Sequence, residues 1–155
     1  MKARRAARKT ILVGALFAAA CAHAPQQPDA AALPPTVESF FDKVRWRDLR
    51  AAAQLIVADR RPDFLKAAAK RQDDRDLTLT EFTAEDVRFS ADGRKATVLV
   101  HVRWVRLPSA TEQSEEVTSE FVWDAGAWWL ARQESGPFGE ELSAPYSTPS
   151  ADAGA

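Results

Sequence analysis

Residues 77–107, LTLTEFTAEDVRFSADGRKATVLVHVRWVRL, decide the fold. From Ala96 onward large apolar residues recur at every second position, so Val98, Val100, Val102 and Trp104 share one face of an extended segment, and Leu99, His101, Arg103 and Val105 share the other. Asp92-Gly93 stands between this run and the preceding one and is a strong short-range signal for a hairpin, because glycine accepts the positive φ that the turn demands. Two antiparallel strands follow, one long or bulged over 77–89 and one over 96–107. Outward from there, residues 108–111 make a turn, 117–123 a third strand, Asp124-Ala125-Gly126-Ala127 a second tight turn and 128–133 a fourth strand. Pairing across Gly126 puts Phe121 and Trp123 beside Leu130 and Trp128 on the inner face.

Upstream the period is helical. Val37, Phe40, Phe41 and Val44 fall at i, i+3, i+4 and i+7, one buried stripe of a helix that Thr36 is placed to cap. Asp48 is suited to cap a second helix carrying Leu49, Ala52, Ala53, Leu55 and Ile56, and Pro62 to open a third that contains Phe64, Leu65 and Ala68 and ends near Arg75. Helices first and a meander after them predict an α+β domain: three N-terminal helices packed on a curved antiparallel sheet of about four strands.

The first 21 residues carry a different message. Lys2, Arg4, Arg5, Arg8 and Lys9 precede an apolar run over 11–20, too short for the roughly 20 residues of a membrane-spanning helix and suited to an export signal. Ala18-Ala19-Ala20-Cys21 resembles the lipobox of bacterial lipoproteins, with Ala18 where that family usually has Leu. The resemblance implies diacylglycerol on the Cys21 thiol and cleavage just before it; plain secretion after ordinary cleavage is the alternative. Ala22, in place of a retention aspartate, resembles the pattern that permits transfer to an outer membrane facing the periplasm. The expected organisation is therefore a signal over 1–20, a lipidated cysteine with a Pro- and Ala-rich spacer over 21–35, one domain over 36–134, and a tail over 135–155 whose composition predicts disorder. In that tail Phe138, Leu142 and Tyr146 are able to pack back on the domain.

Removing residues 1–20 takes five cations from the chain's 21 and leaves 16 against 22 Asp and Glu, a net charge of −6. General attraction to nucleic acid or anionic lipid is disfavoured. The charge is unevenly spread: residues 43–75 hold ten cations and five anions, and residues 76–155 six cations and fourteen anions. Solvated helix faces explain such a run; so does a docking face for an acidic protein partner.

Chemistry-bearing residues are few. His101 is the domain's one histidine and the one candidate catalytic residue, on the mixed face with Arg103, where a solvated or cross-strand-paired imidazole is the ordinary reading. Glu116, Thr118 and Glu120 are its possible neighbours across the hairpin, and Glu81 and Asp86 sit near a strand break where exposure is expected. One domain histidine and a cysteine committed to lipid leave no metal constellation, and no cofactor is expected. Trp104, Phe121, Trp123 and Trp128 either line a pocket for a hydrophobic small ligand or fill the core, while Trp46 and Trp129 are candidate exposed contacts, for a partner or a homodimer.

The order of helices, the Arg47-Asp48 junction, and the long strands ending in Trp128-Trp129-Leu130 resemble the cone-shaped nuclear transport factor 2-like, or cystatin-like, superfamily over most of residues 36–134. That resemblance implies a cavity between sheet and helices and admits both enzymes and non-catalytic domains. With an inner face of Val, Phe and Trp, the expected function is a membrane-anchored envelope lipoprotein whose domain binds a ligand or partner without catalysis; the alternative is a small-pocket hydrolase or dehydratase of a hydrophobic substrate.

Overall fold

The computed structural model describes residues 26–146; Cys21, the signal-like segment before it and residues 147–155 lie outside the described residues. The first helix, α1 (Leu33–Arg45), starts earlier than expected because Pro34 and Pro35 occupy its first turn, where a missing N–H costs nothing. Thr36 is therefore inside the helix and donates its hydroxyl to the Ala32 carbonyl (2.8 Å) instead of capping. The expected spacer is thus shorter than 21–35: Leu33 is fully buried, and the segment before it is bonded to the sheet.

Helix α1 buries Leu33, Val37, Phe40, Phe41 and Val44, the anticipated stripe extended by one turn. It ends at Trp46, after which Arg47 takes a left-handed φ of 61° and Asp48 caps α2 (Leu49–Ala53), accepting from the Ala51 N–H at 3.0 Å. Pro62 lies in the first turn of α3 (Arg61–Arg71), which buries Phe64 and Ala68. A left-handed Gln72 (φ 56°) stops α3 short of Arg75, and one further turn, α4 (Asp73–Asp76), leads into the sheet. Four helices precede the sheet instead of three, and a fifth follows it.

The four strands, β1 (Leu77–Phe89), β2 (Lys95–Arg106), β3 (Gln113–Asp124) and β4 (Ala127–Glu134), pair antiparallel in the order β1-β2-β3-β4. Register matches the alternation: Phe121 faces Leu130 and Trp123 faces Trp128. Strand β1 is bulged between Leu79 and Glu81 and again between Ala84 and Asp86. The helices cover only its start, so Leu77 and Leu79 are buried, while beyond them Phe82 alone is half-covered, its ring stacked on Phe41 at 5.4 Å. The open edge of β4 is closed near its middle by the chain after α2, where Val57 N–H donates to Leu130 O and Leu130 N–H to Leu55 O.

Residues 135–146, expected to be disordered, fold back across the open end of the helix–sheet layer. Gly136 has φ 73°, and a Cβ there would collide with Val117, so the reversal needs glycine. It delivers Phe138 between Phe40 (ring centroids 6.5 Å) and Phe64 (4.9 Å), and the short α5 (Gly139–Leu142) buries Leu142. Phe138 and Leu142, with Tyr146 packed against the core and arginines bonded to the segment's carbonyls, order a stretch otherwise made of Gly, Pro, Ser, Ala and Glu.

Candidate functional site

The space between sheet and helices, where the sequence allowed a ligand cavity, is occupied by the chain's own Phe40, Phe41, Phe64 and Phe138 with Val98, Val100 and Val102 of β2. Of the four candidate lining residues, Phe121, Trp123 and Trp128 are buried in this core. The Trp123 and Trp128 rings meet edge to face at 5.5 Å, and their indole N–H groups donate to the Gln26 and Asp29 carbonyls (3.3 and 2.7 Å), so the N-terminal segment lies over them as a cover. Phe121 also borders a small cleft of about 360 Å³ closed on one side by Tyr146. Trp104 is half-buried at the other end of the sheet, with the Arg106 guanidinium 5.2 Å from its ring centre.

His101 stands half-exposed on the outer face, opposite Thr83 on β1 and Glu116 on β3. Its Nε2 lies 3.0 Å from the Ser114 hydroxyl. An imidazole beside a hydroxyl is the first half of a nucleophile–base arrangement, but among the described residues His101 makes no hydrogen bond to Glu116 or to any other group that would orient it. Next to it Arg103 is gripped by Glu81 and Glu112, which raise its pKa above the ordinary arginine value, and Asp86 is engaged by Arg88 at 2.8 Å. Thr118 and Glu120 pair with Leu99 and Thr97, one and two steps along the same outer face from His101, and Glu120 is paired with Arg132 at 2.8 Å. Among the described residues no group of three or more His, Cys, Asp or Glu is placed to hold a metal ion.

Two arrangements that the sequence reading missed lie where helices and sheet meet. Asp73 is fully buried and holds two guanidinium groups, Arg106 through Nε (2.9 Å) and Arg71 (2.9 Å). Arg71 also engages Glu141 of α5, and Arg106 donates to the Pro137 carbonyl (2.8 Å), so this network fastens the C-terminal segment over the core. The second is an inner-face polar pair, buried Ser119 and Gln133, joined by an amide-to-hydroxyl bond of 3.1 Å. The Asp73–Arg106 and Arg71–Glu141 links join residues far apart in the chain, which no local pattern announces, and Ser119 and Gln133 meet as partners across the β3–β4 hairpin.

A groove of about 730 Å³ opens across α2, α3 and α4, floored by Leu49, Leu65, Ala68 and Ala69 and edged by Arg50, Asp74 and Arg75. Around it the helix layer carries Lys43, Arg45, Arg47, Arg50, Arg60, Arg61, Lys66 and Lys70, and among the described residues none of the eight is ion-paired to a carboxylate. Arg60 and Arg61 are bonded to backbone carbonyls and lie over Tyr146 and Trp129, and Arg47 donates to Thr78 (2.7 Å). The others point to solvent or along the helix surface. Trp46, beside them, is 79 % exposed, the most exposed large apolar residue of the fold. Trp129 is half-covered, by Arg61.

Helices on one face of a four-stranded antiparallel meander, closed by a returning C-terminal turn, define the class: an α+β open-sheet domain. Solved structures of the same fold include a SEC-C motif containing protein from Rhodopseudomonas palustris, 19% identical over 70% of this chain and 82% of that one with a TM-score of 0.54. The intermembrane space region of the chloroplast protein ARC6 aligns at 14% identity over 70% and 97% with a TM-score of 0.53. A protein of unknown function with a cystatin-like fold from Nostoc punctiforme aligns at 12% identity over 68% and 87%, with a TM-score of 0.47. No family model matches the sequence, and no curated protein does. At these identities the likeness to the first two is one of fold.

Proposed function

We propose that the chain is an envelope lipoprotein held to a membrane through Cys21, with a nuclear transport factor 2-like domain that binds a protein partner and catalyses nothing. The observation that carries the binding reading is the contrast between inside and outside. The interior is filled by Phe40, Phe41, Phe64 and Phe138, which leaves a substrate no room there, while the helix layer presents, beside an open groove, cations that have no carboxylate partner among the described residues. The anchor reading rests on Cys21 after Ala18-Ala19-Ala20, and among the described residues no helix is long and apolar enough to cross a membrane in its place. Two or three acyl chains, each buried CH₂ contributing about 0.8 kcal/mol, hold a protein stably at a bilayer where one chain does not.

Native mass spectrometry of the full-length protein extracted from its own membranes with mild detergent tests both halves. The expected species starts at Cys21 with added diacylglycerol and carries no dissociable small ligand, and Cys21→Ser abolishes the lipid mass. An unmodified chain starting elsewhere would remove the anchor, and a retained small molecule would replace the partner-binding reading with a ligand-binding one.

A further inference from the structure

The two ends of the domain are not equivalent, and their difference assigns a direction to the docking face. At one end lie the Asp92-Gly93 and Gly126 hairpins, where Trp123 N–H donates to Arg94 O. The N-terminal segment is fastened here: Gln26 and Asp29 accept from the two indoles, and Pro28 lies against Gly93. Helix α1 then runs away from this end for 13 residues, about 20 Å at 1.5 Å per residue. At the far end Arg47 is tied to Thr78 at the start of β1, and Leu107 N–H donates to the Asp76 carbonyl. Trp46 (79 % exposed), Leu107 (53 % exposed) and the groove edged by Arg50 and Arg75 all belong to this far end.

Cys21 is five residues from Gln26, a span of at most about 18 Å in any conformation. A lipid on Cys21 therefore holds the hairpin end near the bilayer and turns the Trp46 end outward. We infer that this outward end is the docking surface, and that its occupant is an acidic segment of a protein partner, with apolar side chains entering the groove over Leu49, Leu65 and Ala68. Charge complementarity selects the occupant: Lys43, Arg45, Arg47 and Arg50 lie within four residues of Trp46 in the chain and outnumber the nearby anions, of which Asp48 is committed to the α2 cap, Asp42 lies one helical turn before Trp46 and Asp74 lines the groove. The tether argues against the anionic membrane surface as the occupant, because it keeps that surface at the opposite end. An exposed tryptophan between two arginines of the chain and near an apolar groove has the composition of an interface centre.

The inference rests on the anchored-binding reading, and one experiment separates the two. A benzoylphenylalanine photocrosslinker is placed in the full-length chain, in its own cells, at position 46 or 107, and for comparison at position 97 or 116 on the outer sheet face. The expected result is an adduct at 46 and 107 that maps by mass spectrometry to an acidic segment of one protein. It should fall at least about tenfold when Arg45→Glu and Arg50→Glu are combined, since like charges then face each other across the contact. Adducts at 97 and 116 alone would overturn this docking face and leave a binding protein. Adducts at 46 to lipid, to a second copy of the chain or to a segment without acidic residues would overturn the occupant. No adduct at any of the four positions would overturn both readings.

Discussion

The outer face of the sheet and the helix layer treat their charges in opposite ways. On the sheet, Arg88 is answered by Asp86, Arg103 by Glu81 and Glu112, and Arg132 by Glu120 and Glu134. On the helices, eight cations between Lys43 and Lys70 have no carboxylate partner among the described residues. Exposed pairs such as those on the sheet are each worth about 0–1 kcal/mol, and their practical effect is to cancel one another's field. The helix layer also holds Glu38, Asp42, Asp48, Asp59, Asp63 and Asp74, none ion-paired among the described residues, so its excess is small; over a Debye length of about 8 Å at physiological ionic strength it is concentrated where Lys43, Arg45, Arg47 and Arg50 follow one another. On the sheet Arg88, Arg103 and Arg132 are answered and Glu85 and Glu116 are left without a cation among the described residues, whereas the helix layer keeps an excess of unanswered cations near Trp46.

The comparison breaks first at the seam between the two regions. Asp73 is the point where a carboxylate does serve helix-layer and sheet arginines together, and it is fully buried. Asp73→Ala leaves Arg71 and Arg106 without their shared partner and is expected to destabilise the domain by about 3–5 kcal/mol, read from urea unfolding. A loss below about 1 kcal/mol, the range of a surface pair, would mean that the network is solvated and that the C-terminal segment is held by packing alone. Phe138→Ala tests that packing with an expected loss of about 3–5 kcal/mol from the cavity it opens between Phe40 and Phe64. It should also raise proteolysis within 135–146 while the helices and sheet remain folded.

That seam is where the sequence was least legible. The alternation in 96–107 and the two hairpin turns fixed the register, because strand faces are a local, period-two property; Phe121 opposite Leu130 and Trp123 opposite Trp128 follow directly. The Val37 to Val44 stripe and the Asp48 cap were legible for the same reason. Pro34-Pro35 reads as spacer in the sequence because proline opens a helix as readily as it breaks one, and only the burial of Leu33 distinguishes the two. Phe138 and Leu142 were visible as possible anchors, but composition alone argued for disorder around them. The Asp73–Arg106 bond joins residues 33 apart, and Arg71–Glu141 residues 70 apart, so no window along the chain contains either. Of the candidate site, the basic run was legible. Its lack of partners was not, since the alternative of helix-surface ion pairs has the same composition.

A smaller effect sharpens the sheet side. Asp92 in the first hairpin accepts from the Ser90 hydroxyl and the Arg94 N–H, which hold its carboxyl below its ordinary value of 3.8. A depressed folded pKa gives stability that is full above the unfolded value and is lost as pH falls through the folded one. The hairpin's contribution should therefore be flat from neutral pH down to about pH 4 and decline below it, and Asp92→Asn should remove that acid limb in thermal melts. If the limb persists in the variant, another carboxylate is responsible for it.

The smallest expected effect is the most discriminating. Arg50 sits in the first turn of α2, exposed, without a carboxylate partner among the described residues, and close in sequence to Arg45 and Arg47. In a helix of five residues Arg50 lies in the first turn and the last at once, so the macrodipole favours neither sign there, and Arg50→Glu acts through added attraction to its cationic neighbours. Its expected effect on stability is within about 0.5 kcal/mol and towards stabilisation at low salt, fading as ionic strength rises. Removing Glu112 from Arg103 on the sheet should instead destabilise, by no more than about 1 kcal/mol. Opposite signs from two exposed charges would establish that folding does not require the helix-layer cations, so that their arrangement answers to something outside the domain. A loss of 1 kcal/mol or more from Arg50→Glu would place that charge in the domain's own stability and take it out of the docking surface.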